Sequence, residues 1–388
     1  MVDYVVTQRA PSRLRARARE GSLLRNLDWV LLATAVALVG YGLWAIDGIT
    51  KFDVAGDPDF YVNRQAGYAL LGSIGLIGAV LIDPQLYRRH SRILYGVLIA
   101  MLLLVPVIGV EVRNTRRWIE LGSFQFQPSE FGKLFVILFL AAFLADRGKR
   151  VAEGRTVLAA TGLAFVPMVL VFLQPDLGTA VVYAAALWAT LFIAGTRWVH
   201  LTALLGVAAL ASVVVLWAAP AAGVHLLADY QRDRLTGFLN PSENPQGSTY
   251  NITQSTTAVG AGGLDGRGVS GATQTNLNYL PEHHTDFVFA SLAEQRGFFG
   301  VAILLLLYLL LIWRAIKIIT YATDAYTATI AGGIAFVFLA QIFINVGMTI
   351  GMAPITGIPL PFVSSGGSSM VVNLAAIGVL QAICVRRR

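Results

Sequence analysis

Apolar residues come in long runs along this chain, and polar residues fill the breaks between them. Ten runs approach the roughly 20 residues that carry a helix through hydrocarbon. They lie at about 28–48, 66–83, 93–110, 130–146, 156–174, 177–195, 198–219, 286–313, 326–351 and 366–385. A helix satisfies its backbone hydrogen bonds within its own segment, so such runs predict spanning helices. The pattern therefore predicts an all-α polytopic membrane protein of about ten transmembrane helices. Two breaks differ from the rest. Residues 221–285 form a large loop between helices seven and eight. Its Tyr230, Phe238, Tyr250 and Tyr279 predict a folded cap with short helices. Met352 to Ser365 reads MAPITGIPLPFVSS, and its three prolines forbid regular helix. Apolar, non-helical backbone near a membrane is tolerated only against protein or a water-filled cavity, so this segment is expected to be re-entrant or cavity-lining.

Composition agrees with that pattern. Hydrophobic residues make up 56% of the 388 and charged residues only 13%, against about 25% in soluble domains. No separate soluble domain is expected: a basic tail (1–27) leads into one transmembrane domain (28–385) and a short end (386–388). The first run is longer than a signal-peptide core and reads as a signal anchor. The single cysteine, Cys384, excludes an internal disulfide and a cysteine-built zinc site. The five histidines show no HExxH spacing.

The net charge of +7 sits in clusters rather than in a patch suited to nucleic acid, so no nucleic-acid partner is expected. Basic residues precede the first run, follow the second (Arg88, Arg89, Arg92) and fourth (Arg147, Lys149, Arg150), follow the eighth (Arg314, Lys317), and end the chain (Arg386 to Arg388). These positions lie on alternate sides of the spans, as the positive-inside rule requires. Both termini are then cytoplasmic, the 221–285 loop is extracytoplasmic, and the charges attract anionic membrane lipid.

Chemistry-bearing residues gather at the outer ends of the runs. Asn278 to Phe287 (NYLPEHHTDF) brings Glu282, His284, Thr285 and Asp286 to the membrane edge, where ionisable groups are functional candidates. Asp286 reads either as a first-turn helix residue with Thr285 as N-cap, or as a general base or cation-holding carboxylate at a cavity mouth. A helix N-terminus would lower its pKa and burial would raise it. Arg116 and Arg117 read as interfacial anchors beside Trp118 or as a phosphate clamp, since guanidinium grips phosphate bidentately. Glu130 and Lys133, three apart on a helix, can pair or meet substrate. Asp176 lies in Gln174-Pro-Asp-Leu-Gly178, a tight turn or a cavity-facing carboxylate. Gly260 to Gly268 lacks the GK[ST] ending of a phosphate loop and predicts turns with close backbone approach. Gln341, Asn345, Asn373 and Gln381 are expected to hydrogen-bond between helices.

Five of these stretches occur together: RRWIELG (116–122), FQPSEFGKL (126–134), QPDLGTA (174–180), LPEHHTDFVFA (280–290) and ITGIPLPFVSSGGSS (355–369). In that order the chain resembles the SEDS family of bacterial cell-wall proteins, with Thr356-Gly-Ile-Pro359 more like its RodA branch than its FtsW branch. The resemblance implies a ten-helix peptidoglycan glycosyltransferase of the cytoplasmic membrane. It would polymerise lipid II on the outer face during elongation, alongside a class B penicillin-binding protein. It also implies that Asp286 is the essential acid, with Arg116, Arg117, Glu130, Lys133 and Asp176 as further site residues. Glu282, His284 and Thr285 are candidate substrate contacts in the same motif. Asp286 and Glu282 are candidate ligands for a divalent cation such as Mg or Mn, with no ligand set fixed. His283 receives no role, and Gln295-Arg296 departs from the family's usual pair there. Other classes stay open: a lipid II flippase or carrier of a lipid-linked precursor, a division polymerase like FtsW, or a non-catalytic scaffold.

Overall fold

The computed structural model describes residues 25–112, 115–122, 124–221, 223, 237 and 249–386. The basic tail to residue 24, Arg113, Tyr230, Phe238, Arg387 and Arg388 lie outside them. The described helices are α1 (Trp29–Ile49), α2 (Phe60–Leu81), a short α3 (Pro84–Arg89), α4 (Ser91–Ile108), α5 (Pro128–Arg147), α6 (Gly154–Leu173), α7 (Leu177–Ile193) and α8 (Trp198–Val213). After the 221–285 loop begins come α9 (Tyr250–Gly262), α10 (Gly268–Gly271), α11 (Thr273–Asn276), α12 (Val288–Ile319), α13 (Ala325–Thr349) and α14 (Gly367–Val385). Nine are long and apolar enough to cross a membrane, with α8 continuing to Ala221, and α7 is a shorter apolar helix. The chain is a multi-pass membrane protein, and each predicted run coincides with one of these ten.

The all-α expectation misses one element. The third connection is a three-stranded antiparallel sheet, β1 (Val110–Val112), β2 (Thr115–Leu121) and β3 (Phe124–Phe126), in the order β1-β2-β3. Its alternation of Phe, Gln and Phe suits a short half-buried strand, but runs this brief carry little periodic signal.

Two apolar cores share α5. One joins α1, α2, α12, α13 and α14, and the other joins α4, α6, α7 and the start of α8. Small residues bring α2 and α14 into backbone contact. A β-carbon at Gly378 would lie 2.4 Å from the Leu76 carbonyl oxygen, the close approach that membrane helices use in place of a hydrophobic drive. Polar side chains tie the bundle at its other points. Asp28 caps α1 by accepting from the Leu31 N–H, its carboxylate receives the Arg314 guanidinium of α12, and Gln381 of α14 bonds both its backbone N–H and carbonyl. Arg314, expected only to mark topology, is thus also the part-buried partner of a buried acid. Cys384 is fully buried near the end of α14.

α12 begins at Val288, two residues later than the apolar run suggests, and is broken at Gly297, whose φ of 64° is left-handed. The break frees the N–H groups of Phe298 and Phe299, which donate to the Gly263 and Leu264 carbonyls. The glycine-rich stretch makes this possible: a β-carbon at Gly262 would lie 2.0 Å from the Ala293 carbonyl oxygen. Its expected role in close backbone approach is what the structure shows.

Candidate active site

The acidic motif forms a knot of turns before α12. Glu282 adopts a left-handed φ of 56°, which turns its carbonyl inward to accept from the Thr285 and Phe287 N–H groups. Thr285 Oγ1 donates to Glu282 Oε2 at 2.8 Å. Thr285 is therefore not the N-cap expected of it. Phe287 occupies that position without a capping side chain, and its buried ring anchors the knot.

Asp286 is held from the backbone side. Asn345 of α13 donates to the Asp286 carbonyl at 2.9 Å and to the Ile358 carbonyl at 2.8 Å. One amide group thus ties the acid to the proline-rich segment 352–365, fulfilling the interhelical role expected of Asn345. The Asp286 carboxylate lies over Gly357, where a β-carbon would come within 3.3 Å of Oδ2. Gly357 has φ of 72°, so both its conformation and the space above it favour glycine.

The 352–365 segment is irregular and largely buried, with Ile355, Ile358, Leu360, Phe362 and Val363 at most 4% exposed. Protein groups satisfy its backbone, as buried irregular chain requires. Ser364 Oγ accepts from the Leu360 N–H and donates to the Thr285 carbonyl, and the Ser365 N–H donates to the His284 carbonyl. Gln65 of α2 brackets the turn, donating to the Ser364 carbonyl and accepting from the Gly366 N–H. The segment then reaches the Gln-Pro-Asp turn: a β-carbon at Gly178 would lie 2.4 Å from the Thr356 carbonyl oxygen. Three motifs far apart in sequence are thereby stacked as acid knot, proline-rich segment and Gln-Pro-Asp turn.

Asp176 is the N-cap of α7. Its carboxylate accepts from the Thr179 N–H and Oγ1 and from Gln127 Nε2. Arg117 grips the same turn, donating from Nε to the Gln174 carbonyl at 3.0 Å and from its terminal nitrogen to the Pro175 carbonyl. Arg116, one residue earlier on β2, is half-exposed and, among the described residues, meets Glu111 at 3.4 Å. Adjacent strand residues face opposite ways, so the two guanidinium groups have different surroundings. Glu130 and Lys133 pair at 2.6 Å in the interior, 2% and 3% exposed. The pairing that their spacing allows is thus present within α5.

Two acids that sequence reasoning passed over also matter. Glu294 of α12 is fully buried and accepts from the Gln274 N–H, the Thr275 N–H and Thr275 Oγ1, fixing α11 against α12. Asp53, in the first connection, pairs with His283 at 2.9 Å and lies 3.9 Å from His284. The adjacent histidines were a visible signal, but Asp53 sits in no motif. Among the described residues, Asp53, His283 and His284 are the convergent set of three metal-type donors, and Glu282 and Asp286 are not part of it.

Comparison with known proteins gives the family of the chain. Residues 25–388 match the FtsW/RodA/SpoVE family, described as cell cycle protein. Stage V sporulation protein E of Bacillus subtilis is 39% identical over 361 residues, covering 92% of this chain and 95% of that protein. Peptidoglycan glycosyltransferase MrdB of Escherichia coli is 36% identical over 94% of this chain and 95% of its own length. A chain of a peptidoglycan synthase complex that coordinates polymerisation and crosslinking superposes with a TM-score of 0.79 at 30% identity, covering 93% of this chain and 98% of that one. The rod shape determining protein RodA of Thermus thermophilus superposes at 0.68 and 28% identity, covering 93% and 97%. The knot, segment and turn described above thus sit in a chain that belongs to the SEDS family of FtsW, RodA and SpoVE.

Proposed function

We propose that this chain is a peptidoglycan glycosyltransferase that polymerises lipid II on the outer face of the cytoplasmic membrane, with both termini inside. The observation that carries the reading is the placement of Asp286: a carboxylate over a glycine, in a chain whose family relatives include named glycosyltransferases. In the reaction the acceptor sugar hydroxyl attacks the anomeric carbon of the donor. The bond from that carbon to the lipid pyrophosphate breaks, and the pyrophosphate leaves with the electron pair. Asp286 takes the hydroxyl proton, and the anomeric configuration inverts. A well-placed base contributes about 10²- to 10⁴-fold.

Arg116, the half-exposed arginine of the sheet, is assigned the pyrophosphate contact, and Arg117 holds the turn behind it. Asp176, Glu130 and Lys133 position the helices, while Glu282, His284 and Thr285 shape the knot around the acid. An elongation role is supported by Thr356-Gly-Ile-Pro359 and by the likeness to a rod shape determining protein. A class B penicillin-binding protein is the matching partner, since a structurally similar chain works in a complex that also crosslinks.

Purified protein and labelled lipid II test the reading. Wild type yields glycan ladders, and Asp286→Asn, which keeps size and removes basicity, loses them by about 10²-fold or more while unfolding at the same temperature. Ladders of wild-type intensity from that variant, or lipid II crossing vesicles without any ladder, would replace the polymerase reading.

A further inference from the structure

We infer that Asp53, His283 and His284 form a binding site for a transition-metal ion of the zinc class, joining the first connection to the knot that carries Asp286. The proposed glycosyl transfer uses neither Asp53 nor His283, and gives His284 only a place in the knot around the acid. The donor atoms of the three side chains all lie within 4.8 Å of one another. Asp53 carboxylate oxygens stand 2.9 and 3.1 Å from His283 Nε2, and Oδ2 is 3.9 Å from His284 Nδ1. Two ligands each about 2.0–2.1 Å from one tetrahedral zinc ion sit about 3.3 Å apart, so the Asp53–His283 spacing already fits and the wider separations close by about 1 Å.

The surroundings of His283 add a second argument. Its Nδ1 lies 3.2 Å from the Leu280 carbonyl oxygen. The ring can therefore ligate through Nε2 while a backbone carbonyl holds its outer nitrogen, the support that orients metal-bound histidine. A second imidazole also converges on the carboxylate. Among the described residues, both ion-pair partners of Asp53 are histidines, with no lysine or arginine to neutralise it. The rings are held in place: His284 packs on Tyr61 at 4.6 Å between centroids and edge-on to His283 at 5.2 Å. His283 is 5% exposed, which shields the site from bulk water. Two imidazoles and one carboxylate suit zinc and its neighbours better than magnesium or calcium.

The test uses the full-length protein in detergent, freed of any affinity tag and of metal by chelation, then dialysed against zinc alone. Wild type is expected to take up one zinc ion per chain saturably, with X-ray absorption showing imidazole ligands. His283→Arg keeps a cation facing Asp53 but cannot ligate, and Asp53→Asn keeps the shape of the acid; each is expected to weaken zinc binding about tenfold or more. Both variants are first shown to unfold, without zinc, within a few degrees of wild type. The inference is overturned if wild type binds no more zinc than His283→Arg, or if the bound zinc lacks imidazole ligands. Should His283→Arg not fold, Asp53→Asn decides by the same comparison. The measurement needs no polymerisation, so its failure is distinct from failure of the role given to Asp286.

Discussion

Successive residues of a strand face opposite sides, and on β2 this gives Arg116 and Arg117 different surroundings. Arg117 satisfies the Gln174 and Pro175 carbonyls, whereas Arg116 meets one exposed carboxylate. Arg117→Ala should therefore lower stability by about 1–3 kcal/mol, since it strands part-buried acceptors. Arg116→Ala should leave stability within about 0.5 kcal/mol while reducing glycan ladders. Thermal unfolding and the lipid II assay on both variants check the contrast, and equal unfolding temperatures would contradict it. The identities of these residues were legible in the sequence, as were Asp286, Asp176 and the Glu130–Lys133 pair. Their division of labour was not. A motif gives spacing along the chain, but which arginine faces solvent depends on a sheet too short to announce itself. Asp53 was less legible still, because its partners lie 230 residues away and only tertiary packing brings them together.

Helix positions were the clearest message of the pattern, because a spanning helix needs a long uninterrupted apolar run and little else. The helix starts and breaks were less clear. The run near residue 286 suggests one span, yet α12 is two helical pieces joined at Gly297. A left-handed glycine inside an apolar run leaves no mark on hydropathy. Gly297→Ala should destabilise by more than about 1 kcal/mol, because the added methyl meets the Gly266 N and the conformation is strained for any side chain. Chemical or thermal unfolding measures it, and an unchanged midpoint would count against the break. At the start of α13, burial alone would raise the Asp324 carboxyl. Hydrogen bonds from Thr327 and Gln85, with Arg88 nearby, together outweigh it and leave the pKa below the usual range. A depressed acid adds stability above its unfolded pKa of about 3.9 that is lost as pH falls through the folded value. Asp324→Asn should thus unfold slightly earlier than wild type at neutral pH. The gap should close in scans below about pH 4.

Across the whole molecule, the first and last helices are locked together at one end and the acid knot is locked to the proline-rich segment at the other. At the first lock, Asp28 is 6% exposed and joins α1, α12 and α14 through Arg314 and Gln381. Removing one member of a buried pair costs about 3–5 kcal/mol, since it leaves the other charge uncompensated. Arg314→Met should show that loss in thermal unfolding, and Asp28→Asn/Arg314→Met should recover part of it. A double variant no more stable than the single would mean that the two charges are not coupled. The fold's overall plan was readable because the bilayer permits few alternatives. The locks were not, since polar residues such as Gln65, Asn345 and Gln381 show their partners only after the helices assemble.

The buried sulfur of Cys384 has a practical corollary. With the chain's lone thiol sealed inside the bundle, maleimide dyes should ignore the folded protein. Any cysteine introduced at a chosen surface position can then carry a fluorophore or spin label by itself, without first removing the native one. Labelling of Cys384, in turn, would serve as a chemical alarm that α14 has come loose.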